Sequence, residues 1–464
     1  MAKYKYQLST FNLFDYAGVE RHLEKMAAKG WQFDSIGSFA WKYKKAEPAH
    51  LKYSVTYIPE ASDFDPLPLE KQKGIEEYCE EAGWKKAGNW LQMQIFCSEN
   101  PNAVPIETDE EMRLTFIGKS MKKNFLFSHT LLLFVFLLNA VTMFTTATNN
   151  WPEFLSDSSR LWNCGLWIWG ILLLLLDIVY YMVWMHRARK AVEEGRTCPE
   201  PKVYRIWNRV AWVVLLILLL GMFSSYTSGM IWFMVVYMTG IFLVVFGVRK
   251  VQKKLKEKGV SKTGNWVLTV CLCVFLSFLL VGGLTALVFS FDIRLTKERT
   301  PEDIILVNGR EWETYQDTLP LYVKDFAETD FNNSSREARE KSSFLVGYGE
   351  YREYLFEGKE NTSITVANRY EVITAKVEFL YDFLLEAFYE REFRHWDDAE
   401  REKTEYRVAY ECDAGTMYRQ YYEGLPMAHD WLVLTSNKIV PMTLFLEDLT
   451  EEQMKIIVEA FGNE

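Results

Sequence analysis

Charge is almost missing from five runs between Phe125 and Phe291, although the chain as a whole is one-quarter charged. The runs are approximately 125–147, 162–184, 207–225, 230–248 and 266–291. Each is about 20 residues long, the length an apolar helix needs to cross the hydrocarbon of a bilayer. Five such runs in one stretch exclude an ordinary soluble domain there. Positive charge is also missing from alternate connections. "TNNWPEFLSDSSR" and "SSYTSG" hold a single Arg between them. "KSMKKN", "HRARKAVEEGR" and "RKVQKKLKEKGVSK" are rich in it. Basic loops stay in the cytoplasm. The N-terminus is therefore expected inside and the C-terminal segment, after an odd number of spans, outside. The last basic run has seven cations and one acid, a composition that attracts anionic membrane lipid.

Cysteine is scarce. The C-terminal segment holds only Cys412, which excludes an internal disulfide there and points weakly to a bacterial envelope. No pair has zinc-site spacing, and "CLC" at 271–273 sits inside an apolar run. The start, "MAKYKYQLSTF", lacks the apolar core of a secretory leader, so none is expected. There is no HExxH, no G-x-S-x-G, no P-loop and no EF-hand loop. No cofactor, metal or catalytic residue is expected, and the chain reads as a non-enzyme.

Three regions follow: 1–117, a cytoplasmic domain; 118–291, the membrane region; and 292–464, an outer domain. The first is α+β. "KYKYQLST" alternates, and a helix with stripe Tyr16, Val19, Leu23, Met26 and Ala27 stops at Gly30. "SFAWKYKK" and "LKYSVTYI" alternate again. A second helix, carrying Ile75, Tyr78 and Cys79, stops at Gly83, and "NWLQMQIF" closes the domain. The order β-α-β-β-α-β predicts a ferredoxin-like arrangement. The repeated Gly-Trp, at 30–31 and 83–84, is the joint where each helix ends and the chain turns back onto the sheet. With Tyr4 and Tyr6 directed to the helices, the other face collects Lys3, Lys5, Gln7, Lys42, Lys44, Lys52, Gln92 and Gln94. That face is either solvated or a docking surface for a protein partner. Nucleic acid is not expected: the aromatics point inward, the signature strand of an RNA-recognition motif is missing and the domain is slightly acidic.

The segments "KYKYQLSTFNLFDYAGVERHLEKMAAKGW", "WKYKKAEP…YSVTYIP" and "YCEEAGW" resemble the DUF2812 family of bacterial proteins, found mainly in Firmicutes. The resemblance covers the N-terminal quarter. It implies membrane spans after the domain and a PadR-like regulator system as partner. It implies no enzymatic activity.

Within the spans Asp177 is the ionisable exception, with no basic intramembrane partner apparent in the pattern. Such a residue marks either interhelical packing or a functional site. Asn139 is a second group suited to interhelical bonding. In the outer domain "ILVNGREW" predicts a turn at Asn308-Gly309, and the remainder reads as an antiparallel sheet with about three helices. "FRHWDDAERE" is its densest polar cluster, with His395, Asp397 and Asp398 as an outer site or, alternatively, a solvated loop. Asn332, Asn333 and Asn361 lie in glycosylation sequons relevant only to a eukaryotic secretory route. The layout favours a membrane protein that senses outside and reports inside. The alternatives are a transporter accessory or small transporter, an outer-surface hydrolase, and a scaffold for a membrane complex.

Overall fold

A computed structural model describes residues 3–8, 11–36, 40–59, 61, 64, 70–90, 92–226, 228–290, 301–307, 310–328, 333–357 and 363–462. The Asn308-Gly309 turn and the sequons at Asn332 and Asn361 lie outside the described residues. The chain divides into two compact units. One comprises residues 1–138 and 166–296, the other 139–165 and 297–464.

The first unit opens with β1 (Tyr4–Leu8), α1 (Tyr16–Ala28), β2 (Trp31–Ile36), β3 (Ala40–Lys45), β4 (Lys52–Tyr57), α2 (Glu70–Glu81), β5 (Lys85–Trp90), β6 (Met93–Ser98) and α3 (Glu110–Met121). The class is α+β, as the pattern predicts. The topology differs from the ferredoxin-like expectation. Six strands form two three-stranded sheets, β1-β3-β2 and β4-β6-β5, so a β-α-β-β unit occurs twice. The two extra strands, β2 and β5, each follow a Gly-Trp joint. Their sequences, "WQFDSI" and "KKAGNW", are too polar and too short of β-branched residues to announce strands. Gly30 and Gly83 both take a left-handed φ, +77° and +82°, which ends each helix and starts the reversal. Trp84 is buried against Cys79, Phe96 and Ala103, and its Nε1 donates to the Val104 carbonyl at 3.0 Å.

The side chain of Asp15 accepts from the Gly18 amide at 3.1 Å and caps α1, whose apolar stripe then lies against both sheets. Trp41 and Tyr43 come from one sheet; Tyr53, Val55, Tyr57, Met93 and Ile95 come from the other. This core continues without a break through Leu114, Ile117 and Met121 of α3 to Tyr181, Trp184, Met185 and Ala188.

A π-turn, Lys122–Leu126, leads from α3 to α4 (Phe127–Asn149). Then come α5 (Trp151–Ser156), α6 (Ser158–Glu193), α7 (Lys202–Ser224), α8 (Ser228–Glu257) and α9 (Lys262–Ser290). Among the described residues, five helices are long and apolar enough to cross a membrane: α4, α6, α7, α8 and α9. Their outward apolar side chains are largely exposed, as in helices whose solvent is lipid. Gly170 of α6 makes room for Phe136 of α4, whose ring packs edge-on to Trp167 at 4.7 Å.

The second unit contains β7 (Asp303–Val307), β8 (Arg310–Thr314), α10 (Val323–Phe326), β9 (Asn333–Ser342), β10 (Val346–Glu357), β11 (Ser363–Ala375), α11 (Tyr381–Glu392), α12 (Asp398–Glu402), β12 (Thr404–Cys412), β13 (Gly415–Tyr422), β14 (Leu425–Leu434), β15 (Lys438–Leu444) and α13 (Glu451–Gly462). Seven strands form one antiparallel sheet in the order β12-β13-β14-β15-β11-β10-β9. Helices α13 and α10 cover one face, through Ile457, Val458, Phe461 and Phe326. The other face takes α11, through Leu384 and Phe388, together with Leu155 of α5. The α4–α6 connection is thus part of this domain's core. Ser343 Oγ donates to the Leu155 carbonyl at 2.6 Å, and Lys341 pairs with Glu153 at 2.7 Å. Trp151 packs edge-on to Phe383 at 5.4 Å. Arg391 Nη1 donates to Asn150 Oδ1 at 3.3 Å, and Arg394 reaches the Thr148 carbonyl and Asn149.

Candidate functional site

Asp177 lies on α6, two turns before Trp184. The expectation that it lacks a basic partner is corrected by His129, in the first turn of α4. His129 Nε2 stands 3.5 Å from Asp177 Oδ2, and both side chains are about one-fifth exposed. The pattern missed this pair because a histidine inside an apolar run does not register as charge. Depth was the available signal: in an antiparallel helix pair, a residue just inside the entry of one span meets a residue just before the exit of the next.

His129 Nδ1 lies 2.9 Å from the Phe125 carbonyl, an acceptor, so Nδ1 donates there and Nε2 faces Asp177. The Tyr204 side chain, at the entry of α7, bonds to Asp177 as well, and burial pushes its hydroxyl's pKa well up. Tyr204 also contacts Tyr180, ring to ring at 5.2 Å, and Phe14 at 6.1 Å. Phe14 is 1% exposed and sits 4.7 Å from the Trp184 ring. The loop before α1 is thereby inserted between the C-terminal half of α6 and the first turn of α7, next to the His129–Asp177 pair.

A second polar cluster locks the same junction. Tyr16 donates to Glu110 Oε2 at 3.2 Å, and Arg113 pairs with Glu110 and lies over the Tyr16 ring at 4.6 Å. The Cys198 amide, in the α6–α7 connection, donates to Glu110 at 3.5 Å. Burial, then the bond and charge of Glu110, push the Cys198 thiol up to about 12, so it stays protonated and unreactive. Arg21 of α1 pairs with Glu200, and Trp184 Nε1 donates to the Pro199 carbonyl at 2.7 Å. Asn265, at the entry of α9, donates to the Phe64 carbonyl at 3.2 Å. The N-terminal domain therefore sits on the side of the 194–201 and 258–261 connections, which follow the basic last turns of α6 and α8.

The lysine-and-glutamine face does not assemble as expected. Gln92 and Gln94 are buried, 2% and 1% exposed, and Gln92 donates to the Ala61 carbonyl at 2.9 Å. Lys52 is turned to the Ala103 carbonyl at 2.8 Å. The chain after β6 covers this side of the second sheet, with the Ile106 amide bound to Ser54 Oγ. On β1 the faces are exchanged. Tyr4 and Tyr6 pair with Lys44 and Lys42, whereas Lys5 and Gln7 pair with Tyr43 and Trp41. Directly opposed residues share a face. The open face thus carries Tyr4, Tyr6, Lys42 and Lys44, and Lys3 and Lys5 fall on the other side. Lys42 lies 4.1 Å from the Tyr4 ring and pairs with Asp34 at 2.9 Å. The inward placement of the tyrosines, one of three grounds against RNA binding, does not hold.

The His395–Asp398 cluster resolves into a helix cap. Asp397 Oδ1 accepts from the Glu400 amide at 2.8 Å, and Glu400 returns the bond to the Asp397 amide at 3.1 Å. His395 and Asp398 are exposed beside it. Among the described residues no three His, Cys, Asp or Glu side chains form a metal-holding group.

Residues 15–129 match the sequence family DUF2812, described as a protein of unknown function. The match runs beyond the expected boundary at 117, through α3 and the π-turn, and ends on His129. No curated protein and no solved structure matches the chain.

Proposed function

We propose that this membrane protein, with its DUF2812 segment facing the cytoplasm, transmits a signal received by the C-terminal domain outside the cell. One observation carries the reading: the uninterrupted core that joins α1 and α3 of the N-terminal domain to the inner turns of α6. A packed interior moves between discrete arrangements and does not deform smoothly, so a shift or rotation of α6 repacks the domain built on it. The outer turns of the same 36-residue helix follow a loop held by the outer domain. The basic connections support the cytoplasmic assignment of the N-terminus. A protein partner, of the PadR-like kind that the resemblance implies, would then meet the open Tyr4, Tyr6, Lys42 and Lys44 face.

Hydrogen exchange on the full chain in lipid nanodiscs tests this. Trp151→Ala and Phe383→Ala each loosen the outer loop without touching the inner end. Altered protection in 11–28, 110–121 and 194–201 is expected in both variants. Unchanged protection there, with increased exchange confined to the outer domain, would count against transmission.

The His129–Asp177 pair favours a second reading, movement of protons or cations through the bundle. Proteoliposomes with an internal pH dye decide it. If wild-type protein carries no flux under an imposed potential, or Asp177→Asn carries as much as wild type, that reading is removed.

A further inference from the structure

The outer domain contains a polar basin on the sheet face that bears α11. It opens where a proline interrupts the ladder. Pairing between β11 and β15 runs from Asn368↔Leu444 to Tyr370↔Met442 and resumes only at Ile373↔Ile439, skipping Pro441. Proline has no N–H to give to a neighbouring strand. The cavity measures about 220 Å³. Drug-sized ligands occupy roughly 300–1,000 Å³, so this one suits something smaller.

Its charges do not cancel. Arg391 is committed to Glu371 at 2.7 Å and to Asn150 at 3.3 Å. Glu392 and Asp430 remain, with Arg369 as the one further cation on the wall. Burial raises the Glu392 pKa, and after the opposing pull of Arg391 the charge of Asp430 raises it further. The site is therefore short of one positive group near these two carboxylates. The Tyr406 ring lines the same wall and offers a cation an aromatic face. Gln420, 3% exposed and directly opposite Tyr406 in the β12–β13 register, lines the same wall and offers a side-chain carbonyl to a cation.

We propose that the basin binds a small zwitterion of the α-amino-acid class, with its ammonium among Glu392, Asp430 and the Gln420 side-chain carbonyl and its carboxylate on Arg369. This deepens the transmission reading by naming the class of signal. The basin is walled by α11, the helix whose Phe383 and Arg391 hold the loop before α6.

Isothermal titration of the full chain in nanodiscs tests the site directly, with L-alanine, L-serine and L-lysine as probes. Methylamine and acetate, each offering one end alone, are the controls. Saturable binding of at least one amino acid is expected, at least tenfold tighter than either control. Asp430→Asn and Arg369→Gln should each weaken it at least tenfold, with the melting temperature within a few degrees of wild type. Gln420→Leu, which keeps the volume, should weaken it too. No saturable binding of any of the three, or affinity unchanged in both charge variants, would overturn the proposal. So would methylamine binding as tightly as the amino acids. Because binding is read without any downstream response, a negative result here leaves transmission standing, and unchanged exchange in the inner domain leaves the binding site standing.

Discussion

Two half-buried titratable residues on α1 pull the stability of the N-terminal domain in opposite directions. Glu20 accepts from the Val55 amide at 2.8 Å, and burial raises its carboxyl from 4.5 to about 7. Between those values the folded domain holds a proton that the unfolded chain releases, so stability falls as pH rises from about 4.5 to 7. His22 stands 3.0 Å from the Tyr43 hydroxyl, and burial with nearby lysines lowers it from 6.5 to about 4. There the unfolded chain binds the extra proton, so stability falls as pH drops from about 6.5 to 4. The two slopes offset each other across their overlap. Glu20→Gln should therefore stabilise the domain above pH 7, by up to roughly 3 kcal/mol on the conversion of about 1.4 kcal/mol per pKa unit, and by nothing below pH 4.5. It should also uncover the His22 slope. Exchange rates of the α1 amides as a function of pH read both effects. In the C-terminal domain, Arg391→Ala leaves Glu371 half-buried without its partner. A loss of about 2–4 kcal/mol, visible as a lowered melting transition, is expected, whereas Arg394→Ala at the exposed neighbouring position should cost under about 1 kcal/mol.

At the scale of elements, the glycine joints and helix stripes were legible and the strand faces were not. Gly30 and Gly83 do what the repeated Gly-Trp announces. Their substitution should nevertheless differ in cost. Alanine at Gly83 meets open space and pays only for its left-handed φ, about 1–2 kcal/mol. Alanine at Gly30 pays the same and also meets the Ala46 carbonyl at 2.9 Å, so it should be the worse of the two by thermal melting. Alternation in "KYKYQ" reveals a strand, but not which side of it is inward. That choice belongs to pairing: once Trp41 and Tyr43 take the α1 side of β3, register puts Lys5 and Gln7 there and leaves the tyrosines outside. Gln92 and Gln94 were misplaced for a related reason. The 99–106 segment covers the second sheet, and a covering loop leaves no period in the strand it covers. His129 and the Tyr16–Glu110–Arg113–Cys198 cluster were hidden because their bonded partners lie up to 94 residues apart and meet only through tertiary packing.

For the molecule as a whole, the sequence marked the five apolar helices and the soluble domains at either end. Contacts within each unit agree with that order. The basic connections lie with the N-terminal domain, and the weakly charged α4–α6 connection lies within the C-terminal one. Transmission requires that the two domains face opposite sides of the bilayer. An impermeant maleimide tests this most directly, with single introduced cysteines at Tyr6, which is 65% exposed, and at Glu386, on the exposed side of α11. The native Cys79, Cys97 and Cys198 are buried; Cys164, Cys271, Cys273 and Cys412 are half-buried or exposed and are replaced by serine beforehand. In intact cells Glu386→Cys should label and Tyr6→Cys should not; after the cells are broken open both should label. Labelling of Tyr6→Cys in intact cells, with Glu386→Cys protected until lysis, would contradict the account.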